Sequence, residues 1–526
     1  APWHLRSPTS RHPPRVPGPP TSHQPRASRT AHFPTVPAHL CGSCPGASRR
    51  AAPAHRRRRG DPARRAAYDL LRAVDEGAYA NLELPQLLRR HRLSGRDAAF
   101  ATELAYGTLR MRGLYDAVVE IAAGRPTGRI DPPVLDVLRL GVHQVLGMRV
   151  PIHAAADETV ALAREVTGVG ASGLVNAVLH RVGERDRDAW VAAVVGEREG
   201  SPRLALVHSH PTWIVTALRQ ALLGHGAATK ADADAVLESL LAADNDPARV
   251  DLVARPGLAT IAELVAAGAQ PSTLSRVGAV LPTGAPGEIA AVRERRAAVQ
   301  DVGSQLLTLA LVDVPLAEGV PEGTWLDLCA GPGGKAGLLG ALATERGADL
   351  VANEIAPHRA DLVRSTLEPL TAHAAARGRR IEVRTGDGRE FGAQEAGRYS
   401  RVLVDAPCTG LGALRRRPEA RWRQSPDDVV ALAPLQRELL RSALDAVVPG
   451  GVVAYATCSP HLQETTFVVR DVLKRRDDVE QLDARAFLRD AAGEPVAATG
   501  SGPAAQLWPH VHGTDGMFVA LLRRRA

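Results

Sequence analysis

WLDLCAGPGGKAGLLGAL, residues 325–342, passes from an apolar run through a glycine-rich turn into an Ala/Leu stretch at helical spacing. This is the strand-turn-helix opening of an open parallel sheet. Gly331, Gly333 and Gly334 let the backbone turn tightly and let a ligand approach where Cβ atoms would stand in the way. The turn does not read as a Walker loop, because Lys335 precedes Ala336 rather than Ser or Thr. ATP is therefore disfavoured, and S-adenosylmethionine or NAD remains.

Outward from this stretch, residues 300–526 alternate strand-like and helix-like segments, as a doubly wound α/β sheet does. The next strand, ADLVANEIAP, brings Glu354 to the position from which a carboxylate accepts hydrogen bonds from a ribose diol. IEVRTGDGREF follows with Asp387 at its end, a partner for an adenine amino group or, between Gly386 and Gly388, a simple turn cap. Both acidic residues fall at the C-terminal ends of strands, where open α/β sheets bind ligands.

Two later strands stop at cysteines. RVLVDAPCTG carries Asp405, Pro407 and Cys408, and AYATCSP, after a PGG turn at 449–451, carries Cys458. A buried thiol is ordinarily a small hydrophobe. Two thiols closing two strands of one sheet need a further reason, and cytosine C5 supplies one. That carbon attacks a methyl sulfonium only after a thiolate adds at C6, and the C5 proton must then leave before elimination frees the enzyme. Lys335 nearby would lower a thiol pKa from its usual value of about 8.5. Beyond Cys408 lie Arg415, Arg416, Arg417, Arg421, Trp422 and Arg423, residue types that bridge phosphates and stack on splayed bases, or that form a solvated basic helix end.

The rest of the chain is different in kind. Residues 1–60 are rich in Pro, Ser, Arg and His, with RRRR at 56–59, and cannot bury enough apolar area to offset ordering, so a disordered leader is expected. CGSC at 41–44 has no second ligand pair, so no metal is expected, and the leader has no signal-peptide apolar core. DPARRAAYDLLRAV, LSGRDAAFATELAYGTLR, DPPVLDVLRLGVHQVL and ASGLVNAVLHRV predict an all-α bundle over 61–195, opened by Asp61 as cap and Pro62 in the first turn. HPTWIVTALRQALL and ARVDLVARPG predict a small α/β piece over 196–299.

Composition bounds the function. The 526 residues hold 65 Lys+Arg against 57 Asp+Glu, a formal charge of +8 that favours polyanions, with no apolar run long enough to span a bilayer. Five cysteines in no regular framework suit a reducing cytoplasm. His208, His210 and the other histidines show no ligand spacing. A monomer is the default expectation.

GRDAAFATELAYGTLR and GLVNAVLHRV resemble the NusB-like RNA-binding domain fused to the front of bacterial 16S rRNA cytosine-C5 methyltransferases of the Fmu/Sun type. LDLCAGPGGK, VDAPCTG and YATCSP resemble the cofactor turn and the two cysteine motifs of the same family, and the resemblance runs over residues 61–526. QDVGSQL at 300–306 resembles the motif that opens that catalytic core, with Val302 where the family more often has an acidic residue. The resemblance implies a class I S-adenosylmethionine-dependent methyltransferase core behind a NusB-like bundle and a small α/β linker domain. It further implies Cys458 as nucleophile, Cys408 in product release and Asp405 on the N3/N4 edge of the base. S-adenosyl-L-methionine would be held by Cys329, Ala330, Gly331, Pro332, Gly333, Gly334, Lys335, Glu354, Arg359, Asp387 and Asp405.

Two rivals carry different expectations. A DNA cytosine-C5 methyltransferase would use the Pro-Cys thiol, Cys408, as nucleophile, but its Glu-Asn-Val motif is absent and Cys458 would have no role. A non-catalytic NusB-like RNA-binding or antitermination protein would have no use for Cys458, Cys408, Asp405 or the glycine turn.

Overall fold

Asp61 caps the first helix as its sequence predicts: its carboxylate accepts from Ala63 N at 2.8 Å and Arg64 N at 3.2 Å, and Pro62 fills the first turn, where no N–H is needed. The computed structural model describes residues 60–525; the leader up to residue 59 and its CGSC pair lie outside the described residues. Helices Pro62–Asp75, Gly95–Arg110, Arg112–Ala123, Pro132–Val142, Ile152–Val166 and Ser172–Gly183 pack around one apolar core that includes Leu70, Leu104, Val118, Leu138 and Leu179. The predicted helix through residue 146 changes pitch on the way, because His143–Gly147 forms a π-helical turn.

Helices Gly200–Val207, Thr212–Gly224 and Ala233–Ala243 continue the chain into an antiparallel sheet of four short strands, β1 (Val250–Ala254), β2 (Gln270–Pro271), β3 (Gly278–Leu281) and β4 (Ala297–Val299), in the order β2-β3-β1-β4. The opening motif of the core clamps this sheet. Gln305 donates to Leu252 O of β1 at 3.2 Å and to Gln300 O at 2.8 Å, while Asp301 caps helix Val302–Asp313 through Gly303 N at 2.9 Å. Val302 is fully buried in the catalytic core's apolar cluster, so an uncharged side chain is what that position requires here.

The catalytic core is built on β5 (Thr324–Asp327), β6 (Asp349–Glu354), β7 (Ile381–Thr385), β8 (Tyr399–Asp405), β9 (Val447–Thr457), β10 (Val479–Leu482), β11 (Ala505–Gln506) and β12 (Phe518–Arg524). The order is β10-β12-β9-β8-β5-β6-β7, with β11 paired to β12. β5 through β9 are mutually parallel, and β12 runs antiparallel between β9 and β10. The reversal of strand order at β5 and β8 opens a crevice above their C-terminal ends, and the antiparallel β12 distinguishes this sheet from the six-stranded dinucleotide-binding arrangement. The PGG turn lies inside β9, where Gly450 takes φ +80 and the register with β8 shifts, so the strand starts earlier than the sequence implies.

Candidate functional site

β5 ends at Asp327, and the following turn wraps around the end of β6. Gly331 N donates to Glu354 Oε2 at 3.1 Å, Ala356 N donates to Glu354 Oε1 at 3.0 Å, and Arg359 donates to Gly331 O at 2.6 Å. Arg359 and Glu354 also pair at 3.4 Å. A Cβ at Gly331 would collide with the Glu354 carboxylate, so a side chain there would have to displace it and the Arg359 guanidinium. A Cβ at Gly334 would meet nothing within 4 Å, leaving open space at the N-terminus of helix Gly334–Glu345. Oε2 is shared between Gly331 N and Arg359, while Oε1 accepts only from Ala356 N and keeps acceptor capacity for a hydroxyl.

Asp387 stands two residues beyond β7. Its carboxylate accepts from Arg389 N at 3.0 Å and pairs with the Arg389 guanidinium, which holds its pKa below the usual carboxylate value. The capping geometry open to Asp387 in the sequence is therefore realised, with one side of the carboxylate taken by Arg389.

The second half of the site lies at the ends of β8 and β9. Lys335 Nζ donates to Asp405 Oδ2 at 2.9 Å. Burial works to lower the Lys335 pKa, but the Asp405 charge and hydrogen bond more than offset it and hold the ammonium above its usual value. Cys408 Sγ and Cys458 Sγ are 3.4 Å apart. With Cys408 as donor, that contact lowers the Cys458 thiol and pushes Cys408 well above its ordinary value; Lys335 and Arg417 also favour the Cys458 thiolate, against burial and Asp405. Cys329 is pushed up by burial and the carboxylates around it and remains a thiol. The structure thus brings Cys458, Cys408, Asp405 and Lys335 together, and Gly331, Glu354 and Arg359 together, across the crevice formed by one sheet.

Residues 314–523 match the family model described as 16S rRNA methyltransferase RsmB/F, and residues 61–184 match the NusB family model. A protein of Mycobacterium tuberculosis whose name goes no further than methyltransferase is 50% identical over 476 residues, 89% of this chain and 98% of that protein. Ribosomal RNA small subunit methyltransferase B of Pseudomonas putida is 33% identical over 456 residues, 84% of this chain and 95% of its own length. The chain belongs to the RsmB/F 16S rRNA methyltransferase family.

The crystal structure of PH0851 superposes with a TM-score of 0.71 at 20% identity over 88% of this chain and 99% of that one, a likeness of fold. The core is accordingly a class I methyltransferase fold of the kind that uses S-adenosylmethionine, preceded by a NusB domain. Among the described residues no helix is long and apolar enough to cross a membrane, and no group of three or more His, Cys, Asp and Glu is arranged to hold a metal.

The basic stretch after Cys408 requires a correction. Arg421 is fully buried and donates to Arg110 O and Ser209 O at 3.1 Å, to Asn245 Oδ1 at 2.8 Å and to Asp244 O at 3.1 Å. Arg423 donates to Val74 O at 2.6 Å and to Ala78 O, Trp422 packs so tightly on Gly113 that no Cβ would fit there, and Arg415 donates to Gly513 O at 3.0 Å. Arg416 pairs with the buried Asp515. Helix C-terminal carbonyls of the RsmB/F bundle, partly negative and lacking intrahelical partners, compete for the same guanidinium donors that RNA phosphates would attract. Arg417, stacked at 5.6 Å on Tyr79, keeps its donors free among the described residues and faces the cysteines electrostatically.

Sequence reasoning missed three groups. Asp327 is fully buried with neither oxygen hydrogen-bonded, and burial followed by the Asp405 charge raises its pKa to about 8. Asn353 donates to Leu328 O and Gly386 O at 3.1 Å and leaves its buried Oδ1 unpartnered beside the cofactor turn. Glu464, also fully buried, ties the two cysteine loops: it accepts from Thr409 N at 2.8 Å, Thr409 Oγ1 at 2.6 Å and Gln436 Nε2 at 3.3 Å, while Gln436 also donates to Pro407 O at 2.8 Å. The available signal was a polar residue inside an otherwise apolar run, as in WLD and VANE.

Proposed function

We propose that the protein is an RNA cytosine-C5 methyltransferase that acts in the cytoplasm on a loop cytosine of 16S rRNA through a covalent adduct between Cys458 and C6. The observation that carries this reading is the pair of cysteines 3.4 Å apart in which Cys458 is the more acidic thiol, beside the Lys335–Asp405 pair. The orphaned Asp327 carboxylate, the open face at Gly334 and the acceptor capacity of Glu354 Oε1 fit S-adenosyl-L-methionine. That cofactor, when bound, supplies the electrophilic methyl group.

The chain's own residues do the rest. Cys458, as thiolate, adds to C6 and drives the ring electrons toward C5, while Asp405, with its ion-pair partner Lys335, takes the N3/N4 edge and stabilises charge there. Once Cys458 is bonded to C6 its charge no longer raises the Cys408 pKa. Cys408, a thiol at the start, then loses its proton to solvent and as thiolate takes the C5 proton while the Cys458–C6 bond breaks and returns the Cys458 thiolate. The raised Cys408 pKa suits a group that stays protonated until the base is bound. Gly331, Glu354 and Arg359 orient the cofactor, with Asp387 on its adenine side.

The Lys335 and Arg417 charges, which favour a thiolate at Cys458, weigh against the DNA-type assignment, in which Cys408 would attack. A non-catalytic NusB-like role leaves the whole cysteine and lysine cluster without purpose. The test uses 16S rRNA fragments, labelled cofactor and a denaturing gel. Cys458→Ala should abolish both methylation and adduct; Cys408→Ala should transfer methyl and then stall as a methylated protein–RNA adduct. Loss of the adduct in Cys408→Ala with its retention in Cys458→Ala would overturn the assignment.

A further inference from the structure

A cavity of about 340 Å³ opens between the NusB bundle and the helices that follow it, far in sequence from the cysteine site, and Glu103, Arg110, His143, Arg187, His208 and Asp246 are among its lining residues. Three N–H donors on its floor make no hydrogen bond and are faced only by carboxylates at 3.6–4.0 Å. Arg110 is 7% exposed, its Nε has no partner, and its closest carboxylate oxygen is Glu103 Oε2 at 4.0 Å. His143 is 3% exposed; with Tyr115 donating to its Nδ1 at 2.8 Å the ring proton sits on Nε2, which makes no hydrogen bond and faces Glu103 Oε1 at 3.6 Å. His208 Nε2 is unpartnered as well, at 3.6 Å from Glu238. The Arg110 guanidinium has only the distant Glu103 carboxylate and the Tyr106 ring at 5.6 Å beside it, weak compensation for its burial.

The backbone is shaped around the same ring. His143 begins the π-helical turn, a distortion found chiefly where it serves function, and it fits between Gly107 and Gly147, where any Cβ would strike the imidazole. Arg187 stands exposed at the rim with the carboxylates of Glu103 and Asp246. Those two carboxylates match Arg110 and Arg187 in charge, so the lining is neutral overall and disfavours a dianion more strongly than a singly charged group.

We propose that this cavity is an anion site that takes a phosphate group, with Arg110 as its principal ligand, His143 and His208 as further donors and Arg187 as the rim contact. A phosphodiester of bound RNA fits the charge balance better than a free phosphate compound. Only that choice of source rests on the RNA reading given above; the site itself does not depend on methyl transfer.

The experiment uses the full chain and two probes, a short single-stranded oligoribonucleotide and inorganic phosphate. RNA binding is titrated over a salt series for the wild type, Arg110→Gln and Arg187→Gln, and melting temperature is followed with added phosphate at matched ionic strength. Each variant should bind RNA several-fold more weakly, with the slope of log affinity against log salt shallower by about 0.7, the value for one lost single-strand phosphate contact. Arg187→Gln alters only an exposed side chain and carries the test if Arg110→Gln fails to fold. A phosphate-dependent rise in melting temperature that the variants lose, with an unchanged RNA slope, would keep the site and assign it to a free phosphate compound. Unchanged RNA slopes together with equal phosphate response in all three proteins would overturn the proposal, whether or not the protein methylates cytosine.

Discussion

Replacing Arg421 by Met should destabilise the protein by about 2–5 kcal/mol, because this one side chain fastens the catalytic core to the two helical regions before it. The guanidinium is fully buried and donates four hydrogen bonds to groups at the ends of three helical segments, Arg110 O, Ser209 O, Asp244 O and Asn245 Oδ1, at 2.8–3.1 Å. Met preserves much of the side-chain volume and removes every donor. A buried acceptor left unpaired costs about 1–3 kcal/mol, and loss of one partner from a buried charged network costs about 3–5 kcal/mol. The guanidinium's own desolvation is recovered on replacement: burial drives its pKa down to about 10 despite the nearby Asp244. That recovery places the lower bound near 2 kcal/mol. Arg421→Lys should restore only part of the loss, since one ammonium cannot span the planar fork's four acceptors. Urea unfolding followed by tryptophan fluorescence measures the change, with Arg417→Gln as comparison, since Arg417 binds no carbonyl of the bundle. A loss below about 1 kcal/mol in Arg421→Met, or an equal loss in Arg417→Gln, would refute the reasoning.

Glu354→Ala should weaken S-adenosylmethionine binding by about 1–3 kcal/mol in calorimetry, since it removes the carboxylate that both Gly331 N and Ala356 N fix in place; unchanged affinity would remove Glu354 from the cofactor site. Asp327→Asn should flatten the pH dependence of stability. The folded pKa of Asp327 is about 8 against 3.8 unfolded, so the folded state holds the extra proton, and its contribution is complete below about pH 4 and lost as pH rises through 8. Unfolding free energies measured between pH 5 and 8 should therefore fall less steeply in the variant than in the wild type, and identical slopes would count against a protonated Asp327.

The strand ends were legible because an open sheet gathers its chemistry at one edge: Glu354 and Asp405 each terminate a strand, and Cys458 directly follows one. A strand-turn-helix pattern and an acidic residue at the strand's end are local features, and local features survive in one dimension. The arginines were misread for the opposite reason. Arg421 and Arg423 differ in no local respect from phosphate ligands, and what decides their fate is the set of backbone carbonyls at or just beyond helix ends, at residues 74, 78, 110, 209 and 244, more than 170 positions away in every case. Glu464 illustrates the same limit. In HLQETTF it reads as an ordinary surface acid, yet the fold lays it under Thr409 and Gln436, where it sets the separation of the two cysteine loops. A buried carboxylate retained at that point is explained only if the spacing of Cys408 and Cys458 matters, because an apolar residue of similar volume would avoid the cost of burying its charge. The argument for paired cysteine chemistry therefore gains support from a residue that touches neither sulfur.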